Sequence, residues 1–459
     1  MGIFGAMTTA ITGLQSPSTA LEHISNNIAN SQTIGYKRTD TSFTELVPDS
    51  PAKQQALGVV QAFSRPTNNV QGDISNSDIA TYVAINGDGF FIIGEQSGSS
   101  DGNPIFSDED LYTRRGDFEL DRHGNLVNGA GYFLKGLDVD PVTGNTTGSL
   151  PEVITISNDF LPAEATASID YRANLASIPF TASYDPDLTD SELLDESPSL
   201  FSNDPSTDNA TPANQYVRAD ESDTFISRSV SGGAITTFDS AGQTLNVQFR
   251  WAKIDSADDE WNLFYLEDST AAGANPMWRN FGSEYDFGSD GQLEVAVNSV
   301  SISNFTIDGT VLGDITINHG SQGMTQFAES NGQVNVTQLS QDGFAAGELT
   351  NIAISDAGRV VTSYTNGRSV DVAQVALASF NASGFLSKID GNAFRATQES
   401  GEPILGGQGN MVGSSLESSN TDIADEFTKL IVTQQAYAAN TRIISTSDEM
   451  IQEALNMIR

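Results

Sequence analysis

Three histidines, His23, His123 and His319, are the only imidazoles in the chain, and they lie far apart in the sequence. Imidazole is the side chain most often used for proton transfer near neutral pH, yet no His-Glu-x-x-His pair occurs. Each histidine therefore reads as an isolated surface residue. The chain has no cysteine, which excludes thiolate chemistry, disulfides and Cys-based zinc sites. No Gly-Lys-Ser/Thr step follows a glycine-rich run, so there is no phosphate loop. Gly407-Gln408-Gly409 opens like a dinucleotide turn, but Val412 stands where the third glycine belongs. Asp138-Val139-Asp140 opens like a calcium loop, and Val142 breaks it at the next ligand position. Sixty acidic residues make close carboxylate pairs inevitable, so none of them singles out a glycosidase. The expectation is a chain that is not an enzyme and holds no metal or cofactor.

Bulk properties narrow the partners. The formal charge of -39 at pH 7 disfavours nucleic acid and anionic membrane. The charge is uneven. Residues 1–45 carry Lys37 and Arg38 against Glu22, Asp40 and Glu45, and residues 416–459 carry seven acids against Lys429, Arg442 and Arg459. Most of the negative charge thus lies in the middle, which reads as solvated surface, while the ends are free to pack. No stretch is apolar for the roughly 18 residues that cross a bilayer. The start, MGIFGAMTTAITGLQ, lacks the basic region and long apolar run of a cleavable signal.

The two ends read helical and the middle reads β. Met7, Leu14, Leu21 and Ile28 recur every seven residues, with Ala10 and Ile24 three places on. This is the pattern of a coiled-coil seam. Pro17 occupies the remaining position, and Ser16 could cap a restarted helix, so a kink or two short helices is expected. At the other end, Leu416, Ile423, Leu430, Tyr437, Ile444, Ile451 and Ile458 form a heptad ladder with no Gly or Pro between them. A helix over 416–459 would be about 66 Å long. Ser419, Glu426, Thr433, Asn440, Ser447 and Ala454 lie three places on, and Phe427, Ile431, Ala438 and Leu455 widen the stripe. A lone amphipathic helix is marginal in water. The N-terminal seam is too short to cover the whole stripe, so the remainder is expected to face other copies. Heterologous contacts of that kind grow rings or filaments.

Between the ends, short apolar runs alternate with turns. Val83–Ile85 and Phe90–Ile93 flank Asn86-Gly87-Asp88-Gly89. Phe118 and Leu120 lead into the turn Asp121–Asn125, and Leu126 resumes, which predicts a hairpin. Leu245, Val247, Phe249 and Trp251 alternate with polar residues, then Trp261, Leu263 and Tyr265 do so again, predicting a second hairpin with one buried face. All three tryptophans lie between 251 and 278, so one core is expected there. Ile352 and Ile354 before Asp356-Ala357-Gly358 repeat the theme. Residues 181–225, rich in Asp, Ser and Pro, read as a long surface excursion.

"SNNIANSQTIGYKR" (25–38) resembles the N-terminal motif of bacterial flagellar axial proteins of the rod and hook. "EFTKLIVTQQAYAANTRIISTSDEMI", running from Glu426, is similar to their C-terminal counterpart, although Gln434-Gln435 stands where that family often has Gln-Arg. "INGDGFFII" and "YTRRGDFELDRHGNLVNGAGYFLKG" are similar to the inner β-domain of the rod and hook group, and "FDSAGQTLNVQFRWAK", "QDGFAAGEL", "SYTNGRS" and "LESSNTDIADEF" resemble the hook-forming members in particular. Little can be matched over about 176–235 and 266–335.

The resemblance implies a multidomain α+β chain. Residues 1–45 with 416–459 would form a coiled-coil terminal domain lining a tube, and 46–75 a linker or strut. Residues 76–165 with 341–415 would form an inner β-domain, and 166–340 one or more outer β-domains. It implies a subunit that polymerises into a flexible extracellular tube, exported without a cleaved signal through the flagellar type III apparatus. Its partners would be itself, rod and junction proteins, the cap and the export apparatus. A straight, rod-like subunit and a secreted acidic β-domain binding module are the alternatives. The assembly interface implied comprises Met7, Leu14, Leu21, Ile24, Ile28, Leu416, Ile423, Leu430, Tyr437, Ile444, Ile451 and Ile458 as seam. Asn26, Asn27 and Asn30 would set register and the helix-end turn, with Gly35 permitting the turn before Tyr36, and Asn440 lies with Tyr437 inside the C-terminal motif.

Overall fold

The structure is a computed structural model that describes residues 3–46, 59–100, 102–141, 143–194, 200–207, 212–256, 259–407 and 409–457. These residues are mostly β, with three α-helices: α1 (Ile3–Ala29), the short α2 (Ser222–Ser227) and α3 (Ile423–Met457). The chain divides into two compact units, one of residues 1–159 and 349–459, the other of residues 160–348.

In the first unit a 13-stranded sheet carries the core. The run Phe90–Gly94 is buried along its whole length. Side chains alternate across a strand, and here both faces are covered. Phe91 and Ile93 join a cluster with Val83, Phe118, Leu126 and Val360, while Phe90 and Ile92 join Tyr112, Leu386 and Phe394. The turn at 86–89 does not close a hairpin. The strand Val83–Asn86 pairs with Asn410–Gly413, and Phe90–Gly94 pairs with Leu111–Thr113. Phe118–Leu120 and Leu126–Asn128 do pair antiparallel, around a turn in which the Asp121 carboxylate accepts from the backbone N–H of His123 and Asn125, each at 2.8 Å. Leu349–Ile354 and Arg359–Tyr364 form a further hairpin.

Two strands follow α1. β1 (Thr39–Leu46) and β2 (Val59–Pro66) pair antiparallel across eight registered pairs. Within 46–75, residues 59–66 thus form one strand of a hairpin. Residues 47–58 lie outside the described residues.

The second unit holds two five-stranded sheets. Ile169, Tyr171, Val300 and Ile317 from one meet Val247, Trp251, Trp261 and Tyr285 from the other in a single core. The hairpin Thr244–Asp255 with Glu260–Leu266 forms as expected, but the second strand is buried on both faces. Phe264 and Leu266 point into another cluster with Trp278, Leu194, Phe201, Val217 and Phe225. The tryptophans thus serve two cores, and the segment 181–225 is corrected from surface excursion to the cover of the sheet's second face. Leu194, Phe201, Val217 and Phe225 are the apolar residues it buries, while Leu188 stays exposed.

The helices depart from expectation in three ways. α1 runs unbroken through Pro17, so neither a kinked pair nor a restart at Ser16 is formed. The Ser16 hydroxyl instead donates to the β2 carbonyl of Val60 at 3.0 Å. α3 begins at Ile423, not at 416. The Asp422 carboxylate accepts from the N–H of Ala424 and Asp425 at 2.8 and 3.2 Å, which is N-cap geometry. Leu416 lies in the strand Ser415–Glu417, paired with Ile74–Asn76. The histidines depart too. His319 is fully buried in the second unit, and His23 bridges the paired residues Thr41 and Ser64 at 2.8 and 3.1 Å.

Candidate assembly interface

The asparagine-rich end of α1 is where the two termini meet. Asn27 is 1 % exposed and its amide is fully engaged. Its Oδ1 accepts from the Thr39 N–H at 3.0 Å and from the Tyr36 hydroxyl at 3.2 Å, and its Nδ2 donates to the Thr39 carbonyl at 3.0 Å and to Glu426 of α3 at 3.1 Å. Only a primary amide offers donor and acceptor side by side in this way. Burial, reinforced by the charge of Glu426, raises the Tyr36 pKa, so the phenol stays a neutral donor. Asn30 does a different job. Its Nδ2 donates to the Asn26 carbonyl and side-chain oxygen at 2.9 and 3.0 Å, and its Oδ1 accepts from Thr33 at 3.2 Å. Asn26 and Asn30 thus finish the helix, whereas Asn27 joins segments.

The chain then turns at Gly35, whose φ is +64°. Its N–H donates to the Glu417 carbonyl at 2.8 Å. Lys37 and Arg114 both pair with the Glu417 carboxylate, Arg114 at 3.2 Å, and the Gly72 N–H adds a bond at 2.8 Å. All three charged side chains are almost wholly buried. Two cations and an amide around one carboxylate satisfy what a buried ion pair needs. Desolvation lowers the Lys37 pKa, and Glu417 opposes that shift. The Lys388 ammonium sits 3.8 Å from the Tyr36 ring centroid. Asn420 accepts from the Arg38 N–H at 2.8 Å and donates to Thr67 and Val70. Glu417 and Asn420 belong to the quoted LESSNTDIADEF stretch. Sequence reasoning gave them no role, because nothing in the sequence places an acid near position 417 against Lys37 and Arg114.

Beyond this joint α1 and α3 run antiparallel. Asn27 bonds Glu426, and Asn440 Nδ2 donates to the Gly13 carbonyl at 2.6 Å. The two bonds lie fourteen residues apart on each helix, two heptads. The face of α1 most buried is Ala10, Pro17, Ala20, Ile24 and Asn27, while Met7, Leu14, Leu21 and Ile28 are half-buried. On α3, Glu426 and Ser447 are buried, and Leu430, Thr433, Asn440, Ile444 and Ile451 are half-buried. The polar positions of the heptad therefore turn inward, and the large residues lie at the edges. Ile423 and Tyr437 are exposed, and Ile458 lies outside the described residues.

Two apolar strips flank this seam. Ile423, Phe427 and Ile431 follow one another at four-residue steps, and Val432, Ile443, Met450 and Met457 at helical spacings on the opposite flank. All seven are exposed, Val432 to 60 %.

No group of three or more His, Asp or Glu among the described residues could hold a metal ion. Gly98-Ser99-Ser100-Asp101-Gly102 has the spacing of a nucleophile elbow. Its serine, however, ends an exposed strand, Gln96–Ser100, that pairs with Asn103–Phe106, so the strand-to-helix turn that activates such a serine is missing.

Family models match the chain in four places. They are described as flagella basal body rod protein over residues 7–37, flagellar hook protein FlgE/F/G D1 domain over 84–170, flagellar basal body protein FlaE D2 domain over 203–344, and flagellar basal body rod FlgEFG protein C-terminal over 412–457. The flagellar hook protein FlgE of Brucella suis is 29 % identical, with all of both chains covered. That of Salmonella typhimurium is 28 % identical over 98 % of this chain and all of its own. The crystal structure of the Helicobacter pylori flagellar hook protein FlgE2 matches the fold with a TM-score of 0.50 at 15 % identity, covering 75 % of this chain and all of that one. The joint between Asn27, Glu417 and the root of α3 lies within the first and last matched segments, and these matches together support a flagellar hook protein.

Proposed function

We propose that this chain is the structural subunit of the flagellar hook and that it polymerises through the two exposed flanks of α3. The observation that carries this is the pair of strips, Ile423–Phe427–Ile431 and Val432–Ile443–Met450–Met457, left uncovered on either side of the α1 seam. Exposed apolar rows of this extent mark interaction sites. Two different flanks facing different neighbours make a heterologous contact, which propagates into a helical tube. In this reading the paired terminal helices, as a coiled coil, line the tube. The implied surroundings are extracellular, with rod, junction and cap proteins as neighbours and the export apparatus as the route out.

The test uses the full chain. Ile431→Asp with Ile443→Asp places a charge in each strip without touching the seam. Electron microscopy of the purified variant should find no tubes under conditions where the parent assembles, with unchanged circular dichroism. Tubes of normal length from that variant would refute the α3 interface. Hydrogen exchange of residues 1–45 and 416–459 should also slow strongly between monomer and polymer.

A further inference from the structure

Proline inside a helix removes one backbone donor and pushes its ring against the carbonyl four residues earlier. For Pro17 that carbonyl is Gly13's. A carbonyl left without a donor is costly where water is kept from it, yet α1 is continuous past Pro17. The Asn440 amide of α3 donates to that carbonyl at 2.6 Å. Gly13 leaves room for the approach, since a Cβ there would sit 3.2–3.3 Å from the atoms of the Asn440 amide, tighter than ordinary contact. The three residues fit one another: a missing donor, a missing side chain and a supplied donor.

We infer that Asn440 is a positioning residue that aligns α3 on α1 by supplying the hydrogen bond Pro17 withholds from Gly13. An apolar ladder repeats every seven residues and cannot by itself select one alignment, whereas a single polar partner at a seam position can. Sliding α3 by one heptad would bring Asn440 to a carbonyl already bonded within α1. One of the two slips would set Gly13 opposite Thr433, whose hydroxyl already donates to Lys429 at 2.7 Å. The Asn27–Glu426 bond, two heptads away, holds the same alignment.

The test is a double-mutant cycle in the full chain, read by hydrogen exchange of amides in 14–27 and 426–444. Asn440→Ala should speed exchange there at least tenfold, and Asn440→Asp, which cannot donate, at least as much. Pro17→Ala restores the helical donor, so Asn440→Ala in that background should have less than a threefold effect. Amides of the hairpin 244–266, in the other unit, serve as the folding control and should not change. An equal effect of Asn440→Ala in both backgrounds would overturn the inference, as would no effect in either. The alignment bears on the proposed hook role, and the cycle separates the two. Should the parent chain form no tubes, the assembly reading fails while the exchange result still decides the pairing of Asn440 with Pro17.

Discussion

Asn27 and Thr39 bond each other as opposed residues of a sheet do, the side-chain amide of one matching both the N–H and the C=O of the other at 3.0 Å. The last turns of α1 are thereby tied to the first residue of β1. The same amide reaches Tyr36 and Glu426, so one side chain closes the loop and holds the root of α3.

Asn27→Ala should therefore destabilise the first unit by roughly 2–4 kcal/mol, because several buried polar groups lose their partner together at about 1–3 kcal/mol each. Urea unfolding followed by helical circular dichroism measures this. A loss below about 1 kcal/mol would mean that water replaces the amide freely. Asn27→Asp should be no milder, since it cannot donate to Thr39 and sets a carboxylate beside Glu426.

Glu417→Gln should cost about 3–5 kcal/mol, the usual penalty for leaving buried charge uncompensated. Here Lys37 and Arg114 both lose their counter-ion. Lys37→Met should cost less, because Arg114 and the Gly72 N–H remain on the carboxylate. In a Lys37→Met background the Glu417→Gln loss should shrink, giving a coupling energy of about 1–3 kcal/mol. Additive losses would show that the three groups do not act as one network.

His319 predicts a pH dependence confined to the second unit. Its Nδ1 faces the Tyr171 carbonyl at 2.8 Å, which can only accept, so Nδ1 carries the proton and Nε2 accepts from the Tyr285 hydroxyl at 2.9 Å. Burial lowers its pKa below the usual 6.5, against the pull of the Tyr171 carbonyl. The unfolded chain then binds a proton that the folded unit refuses. The stabilisation is complete above about pH 6.5 and is lost as pH falls from there through the folded pKa, by at most ~1.4 kcal/mol per pH unit. All three tryptophans lie in this unit, so denaturation followed by tryptophan fluorescence reports it directly. His319→Gln should flatten the profile between pH 6.5 and 5, and an unchanged slope would assign the effect elsewhere.

Local pattern was legible in the sequence, and long-range partnership was not. The hairpins at 118–128 and 244–266 follow from alternation and turn residues within a few positions of each other. The helical ends follow from the heptads, but the buried face does not, because the large residues of the ladder are half-buried or exposed while Glu426 and Ser447 are buried. Gly13, Ala20, Thr433 and Ser447 are small, and small residues let the helices approach, leaving the large ones on the flanks. The burial of Leu194, Phe201 and Phe225 was hidden by their polar surroundings. The ion cluster of Lys37, Arg114 and Glu417 draws on residues up to 380 positions apart, a spacing no local signal encodes.

Gly35→Ala tests whether the turn after α1 tolerates any side chain. At φ +64° a Cβ would lie 2.7 Å from the Arg115 N and 2.9 Å from the Arg114 carbonyl oxygen. Both are backbone atoms that cannot swing aside. The left-handed conformation alone costs about 1–2 kcal/mol for an alanine, and the collision adds to it. Gly367 is the control. It has φ +80° and open space around its Cβ position, so Gly367→Ala should show only the conformational cost. Unfolding measurements should place the Gly35→Ala loss at least ~1 kcal/mol above that of Gly367→Ala. Equal losses would mean that the backbone around Arg114 and Arg115 yields, and that the joint beneath Glu417 is softer than its burial suggests.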